Sequence, residues 1–109
     1  MPNRTQKINP LIQQKLGEII NQNIELPTDC LVTITKTETS PDNKQSKIYL
    51  SIIPENFRGT VLKILNKNKK LLYQQLRKEL QTKFTPNLLF IIDEDEIYAS
   101  EIEKLLDEL

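Results

Sequence analysis

Lys63, Lys67, Lys70, Arg77 and Lys78 are spaced so that, on a helix, they share the side opposite a stripe of Val61, Leu65, Leu72 and Leu76. Cations gathered on one face do one kind of chemistry. They neutralise a row of anions, and each phosphate neutralised on a polynucleotide releases counterions and adds affinity. The bland reading of the same row is the solvated side of an amphipathic helix, whose leucines require only that the opposite side be polar. Spacing alone leaves both open. Arg4 and Lys7, in the polar opening "MPNRTQKINP", precede the first expected helix and are further candidates for reaching a phosphate backbone. The competing reading there is a flexible tail over residues 1–8. Tyr73 is placed either to stack on a base or to pack against its own helix, and Tyr49 reads as a sheet-surface residue.

Net charge conceals this row. The chain of 109 residues carries 15 Lys and Arg against 15 Asp and Glu. Residues 1–57 hold six of each sign and cancel. Residues 58–83 hold eight basic side chains against Glu79, a balance of +7, and residues 93–109 hold eight acidic ones against Lys104, a balance of −7. Local potential governs association as well as the total does.

Other chemistries lack their residues. With no histidine the commonest general base and metal ligand are missing. Cys30 is the one cysteine, which excludes an intramolecular disulfide and a four-cysteine zinc site; it reads as a small residue at the start of a strand. "DEDE" (Asp93–Glu96) offers carboxylates, but an EF-hand loop also needs a turn glycine that does not follow. These carboxylates suit the N-terminus of a helix without a metal. No run of eighteen apolar residues or signal-peptide core is present, and the expected setting is the cytoplasm, with no cofactor and no membrane contact.

The elements that must hold the basic row follow from periodicity. Asn9-Pro10 reads as a helix start, and Ile12, Leu16, Ile19 and Ile20 form one stripe of a helix ending near Leu26-Pro27. "LVTITKTETS" (Leu31–Ser40) and "SKIYLSII" (Ser46–Ile53) are strands joined by the turn Pro41-Asp42-Asn43, an antiparallel hairpin that Pro54 ends. Residues 56–83 are helical, with a kink or short break expected near Asn66–Lys70. "NLLFII" (Asn87–Ile92) reads as a strand buried on both faces, and Ser100 with Glu103 is a capping box opening a last helix. The order is α-β-β-α-α-β-α in one α+β domain spanning 1–109. The long crossover sets the third strand parallel to its partner, giving a three-stranded mixed sheet with helices packed on one face.

That order and several of its blocks resemble the bacterial ribosome-binding factor A family. The resemblance rests on "LVTITKTETSPDNKQSKIYLSII", with Ser40, Asp42, Lys47 and Tyr49 in place, on "LRKEL" followed by "PNLLFIID", and on "RTQKI", where Lys7 stands for a second arginine. It covers nearly the whole chain. It implies a type II KH-like fold and a non-enzymatic assembly factor, monomeric, that binds the immature small (30S) ribosomal subunit and its rRNA during maturation and pre-rRNA processing, with a possible ribosomal-protein contact. The family's Ala-x-Gly helical kink is missing: aligned on Arg77, it falls on Leu72-Tyr73-Gln74. The helix is then either straighter or bent earlier, at Asn66-Lys67-Asn68. The alternatives to this function are a protein-interaction module working through the acidic C-terminal segment and a general KH-like RNA-binding domain.

Overall fold

A computed structural model describes residues 4–80 and 85–94, the side chains of residues 4–7 excepted. Along the chain lie α1 (Arg4–Asn23), β1 (Leu31–Thr39), β2 (Gln45–Ile53), a 3₁₀ turn (Glu55–Phe57), α2 (Arg58–Lys67), α3 (Lys69–Leu80) and β3 (Asn87–Ile92). The helix expected to follow Ser100 lies outside the described residues.

β1 and β2 pair antiparallel through the expected turn. Ser40 Oγ donates to Asp42 Oδ1 at 2.6 Å, and the Lys44 N–H donates to the same oxygen at 3.1 Å. Asn43 takes φ 59°, a left-handed conformation that Asn tolerates because its short side chain bonds locally. The Ser40 hydroxyl, followed by the Lys44 amide, holds the Asp42 carboxyl below the usual carboxylate range.

The sheet order is β1-β2-β3, with β2 and β3 parallel and Ile48 beside Phe90. A parallel neighbour requires a long crossover, and α2 and α3 supply it. Ile48, Leu50 and Ile52 of β2 are fully buried, as the alternation predicts. Against them lie Ile12, Leu16, Ile19 and Ile20 of α1, Val61 and Leu65 of α2, and Leu72, Leu76 and Leu80 of α3. Each such side chain contributes roughly 1.5–3 kcal/mol through burial, which is why the two helical stripes fix the orientation of every polar face.

Two expectations need correction here. α1 starts at Arg4, not at Asn9-Pro10, so Pro10 lies inside the helix and Arg4 and Lys7 belong to its first turns. Asn9 is engaged elsewhere: its Oδ1 accepts from Thr39 Oγ1 at 2.6 Å, and Thr39 in turn lies 2.8 Å from Ser46 Oγ. The one hydroxyl proton of Thr39 is committed to Asn9, so Ser46 is the donor in the second bond. This chain ties α1 to both strands of the hairpin instead of capping the helix. Exposed Pro10 forgoes one ladder bond, toward the Gln6 carbonyl. The helix ends before Leu26-Pro27, where Asn23 Nδ2 bonds back to the Ile19 carbonyl at 2.9 Å.

The second correction concerns β3. It is an edge strand, with Leu88 and Phe90 buried toward the helices and Leu89 and Ile91, on the other face, only half-buried. An unbroken apolar run records hydrophobicity, and strand order decides how much of it is covered.

Candidate nucleic-acid interface

The helical stretch breaks once among the described residues, at Asn68. The Asn68 N–H donates to the Ile64 carbonyl at 3.1 Å, its Nδ2 donates to the same oxygen at 2.8 Å, and its own carbonyl receives the Leu72 N–H at 3.0 Å. The backbone there has φ −100° and ψ 12°. That conformation is open to any L-residue, so the bend needs no glycine. α3 runs unbroken through Leu72-Tyr73-Gln74, with Leu72 fully buried. Of the two shapes left open by the missing Ala-x-Gly, the chain adopts the earlier bend.

The break gives a groove of about 430 Å³ between the helix junction and the start of β3. Lys67, Lys69, Lys70 and Tyr73 line its helical wall, and Asn87 and Leu88 line the strand wall. The structure therefore brings two of the expected cations, Lys67 and Lys70, into one site. Lys63 lies one turn before Lys67 on α2; Arg77 and Lys78 continue the charge along α3, all three exposed and outside the groove lining. Arg4 and Lys7 have helical backbone in α1, and their side chains lie outside the description.

Lys69 was missed by the leucine spacing, which places it beside the buried stripe. It is half-buried, and its Nζ stands 6.0 Å from the centroid of the Phe90 ring. A cation over an aromatic face is held by the ring quadrupole, so this ammonium is steadied at the groove. Its adjacency to the break was the available signal. Tyr73 is half-buried and lines the groove, which joins its two readings: one part packs and one part remains open to a ligand.

Charge pairing leaves a run of cations on this face unmatched. The acidic residue within the basic segment, Glu79, reaches Lys15 of α1 at 3.8 Å. Among the described residues none of Lys63, Lys67, Lys69, Lys70, Arg77 and Lys78 has a carboxylate within salt-bridge distance. On the face of the sheet turned away from the helices one lysine is engaged instead. Lys36 Nζ lies 3.3 Å from Glu38 and 4.5 Å from the centroid of the Tyr49 ring, and Tyr49 donates its phenol to Glu38 at 3.3 Å. The Glu38 carboxylate raises the Lys36 pKa above its ordinary value. Thr35 Oγ1 donates to Asp93 Oδ2 at 2.5 Å on the same face. Lys36 there is matched, although Lys47 of β2 has no carboxylate within salt-bridge distance among the described residues; at the start of α2 Arg58 pairs with Glu55 at 3.1 Å, and the cations from Lys63 to Lys78 stay unmatched. An extended polyanion is the ligand that a row of unmatched cations beside an aromatic ring and a strand edge can hold.

The described residues contain no group of three His, Cys, Asp or Glu side chains placed to hold a metal ion. Burial pushes the Cys30 thiol up, away from a reactive thiolate. No described helix is long and apolar enough to cross a membrane.

Comparison with known proteins bears on the same arrangement. The family model for ribosome-binding factor A matches residues 4–106. A ribosome-binding factor A from Thermodesulfovibrio yellowstonii is 30% identical over 106 residues, covering 97% of this chain and 90% of its own. One from Pseudomonas fluorescens is 29% identical over 107 residues, covering 95% and 82%. Among solved structures, the crystal structure of ribosome-binding factor A from Thermus thermophilus matches with a TM-score of 0.72 at 18% identity, over 81% of this chain and 94% of that one. A homology model of Thermus thermophilus ribosome-binding factor A, as fitted into a cryo-EM map of its complex with 30S, matches with a TM-score of 0.66 at 22% identity, over 76% and 88%. The fold is the KH-like fold of these structures.

Proposed function

This chain belongs to the ribosome-binding factor A family, and from that premise we propose that it binds the immature small (30S) ribosomal subunit as a non-enzymatic assembly factor. It docks the α2–Asn68–α3 face on rRNA, with Lys63, Lys67, Lys70, Arg77 and Lys78 as phosphate partners and Lys69 added to them. Docking of this kind holds an immature rRNA conformation and so bears on pre-rRNA processing. It acts as a monomer in the cytoplasm and needs no cofactor. One observation carries the reading: Lys63, Lys67, Lys69, Lys70, Arg77 and Lys78 gather along α2 and α3 without a carboxylate partner among the described residues, and Lys67, Lys69 and Lys70 share one groove with Tyr73. A family relative fitted into a 30S complex supports the choice of partner.

The test is co-sedimentation of the chain with purified immature small subunits across a salt series. Binding is expected at low salt and should weaken steeply as salt rises, because counterion release supplies the affinity. Absence of binding at low salt would sink the function. Normal binding by a Lys67→Glu/Lys70→Glu/Arg77→Glu triple variant would sink the site while leaving the function standing.

A further inference from the structure

α1 and β1 leave a groove between them on the outer edge of the sheet. Two cavities of about 540 and 330 Å³ lie there and share Gln13 and Gln14 in their walls. β1 is an edge strand, so among the described residues backbone groups on its outer side have no neighbouring strand. One of them shows what it takes: Gln13 Nε2 donates to the Ile34 carbonyl at 3.1 Å. A carboxamide thus stands where the peptide N–H of a further strand would stand.

A second, independent feature lies at the same place. Thr37 lines the larger cavity and is 6% exposed, and among the described residues its buried hydroxyl has no hydrogen-bond partner. A buried polar group left unpaired is costly, and rotation of Thr37 about χ1 would bring its hydroxyl to a ligand atom in the cavity, which supplies the missing bond. Gly17 lines the smaller cavity, and a Cβ built there meets nothing within 4 Å. Packing does not call for a glycine at this mid-helix position, where alanine would be more stable; what its bareness does is keep the groove open.

The wall chemistry selects the ligand. Amides and hydroxyls face the groove, with Val32 and Ile34 as its apolar part. Lys36, the cation in the lining, is engaged by Glu38 and by the Tyr49 ring. Among the described lining residues a polyanion finds no free countercharge, in contrast to the α2–α3 groove on the β3 side. A neutral main chain finds a strand edge, side-chain amides and small apolar pockets.

We propose that this groove binds an extended polypeptide segment of a partner protein, which adds to the outer edge of β1 as a short strand and sets alternate side chains into the two cavities. The segment's own amide takes over the Ile34 carbonyl from Gln13, and its main chain or a polar side chain satisfies Thr37. The bulge between Ile34 and Lys36 breaks the edge into short stretches. Pairing is thereby limited to a few residues, and edge-to-edge joining of two copies of this chain is disfavoured. The segment it takes alternates small apolar with neutral polar residues. This site lies on the opposite strand edge from the rRNA-docking face and does not depend on that reading.

The experiment selects random phage-displayed peptides against the immobilised full chain, then titrates the recovered sequences, as synthetic peptides, into isotopically labelled protein. Expected are peptides that slow amide exchange along Val32–Thr37. They should bind at least roughly tenfold more weakly to Gly17→Trp and to Gln14→Arg, and roughly fivefold more weakly to Thr37→Val, the scale of one lost hydrogen bond. Gln14 is exposed, so its variant reports on the groove even where the tryptophan disturbs the helix. The proposal is overturned if no recovered peptide protects these amides, or if binding ignores both Gly17→Trp and Gln14→Arg. A single-stranded oligouridine that protects them where peptides do not also overturns it, and assigns the groove to nucleic acid.

Discussion

Asn68 binds the Ile64 carbonyl twice, through its backbone N–H at 3.1 Å and through its side-chain Nδ2 at 2.8 Å. The side chain fastens the end of α2 while the backbone turns into α3, so a chain without the family's glycine still bends. The bend in turn opens the groove in which Lys67, Lys69, Lys70 and Tyr73 meet β3.

Replacing that side chain separates bend from stability. Asn68→Ala loses a bond worth about 0.5–1.5 kcal/mol and gains helix propensity of about half a kcal/mol, so urea unfolding should shift by no more than about 1 kcal/mol. Affinity for an rRNA fragment should fall roughly tenfold, because the favoured continuous helix closes the groove. Asn68→Gly should keep the bend and most of the binding. Wild-type affinity in the alanine variant would show that the bend is incidental.

Paired and unpaired lysines should behave differently in a salt titration. Lys70→Ala removes one phosphate contact, and the slope of log K against log salt should drop by about 0.7–0.9. Lys36→Ala, whose charge is already matched by Glu38 at 3.3 Å, should leave the slope unchanged. Equal effects from the two would place the interface elsewhere.

The Asn9–Thr39–Ser46 chain supplies a stability test away from the charged face. Thr39→Val keeps the shape but strands Asn9 Oδ1 and Ser46 Oγ, and Ser46 is fully buried. A loss of about 1–3 kcal/mol in equilibrium unfolding is expected. Thr39→Val/Ser46→Ala should lose less than the two single changes added together, since both remove the same bond.

Acid should loosen the hairpin turn. Asp42 is held below the usual carboxylate range when folded, so its carboxylate contributes stability that is fully present above the ordinary carboxylate pKa. That contribution is lost as pH falls through the depressed folded value. Following the Asp42 side-chain carbon by NMR should give a midpoint below the ordinary value, and Ser40→Ala should move it back up. A midpoint that ignores the Ser40 change would remove the hydroxyl as the main cause.

The amphipathic stripes were legible because burial acts through local spacing: Ile48, Leu50, Ile52, Val61, Leu65, Leu72 and Leu76 all point inward as their intervals require. The turn was legible for a similar reason, since Pro41-Asp42-Asn43 carries its own geometry. The start of α1 was not. Asn9 is a good cap in isolation, and only Thr39, thirty residues away, draws its side chain to the sheet.

The same division runs through the candidate site. By itself the sequence determined that residues 58–83 carry a strongly basic, leucine-striped pattern of helical period, and that the pattern falters near Asn66–Lys70, because composition and periodicity act over a few residues. The tertiary structure decided which of those charges matter together. It took Glu79 away to Lys15, laid Lys69 toward Phe90, and placed β3 at the edge where its first residues could form the opposite wall. It also left β1 as the other sheet edge, with Thr37 unpaired among the described residues in the groove beside it. Which side chains meet across elements depends on strand order and crossover, and those are set by the one packing that buries every stripe at once.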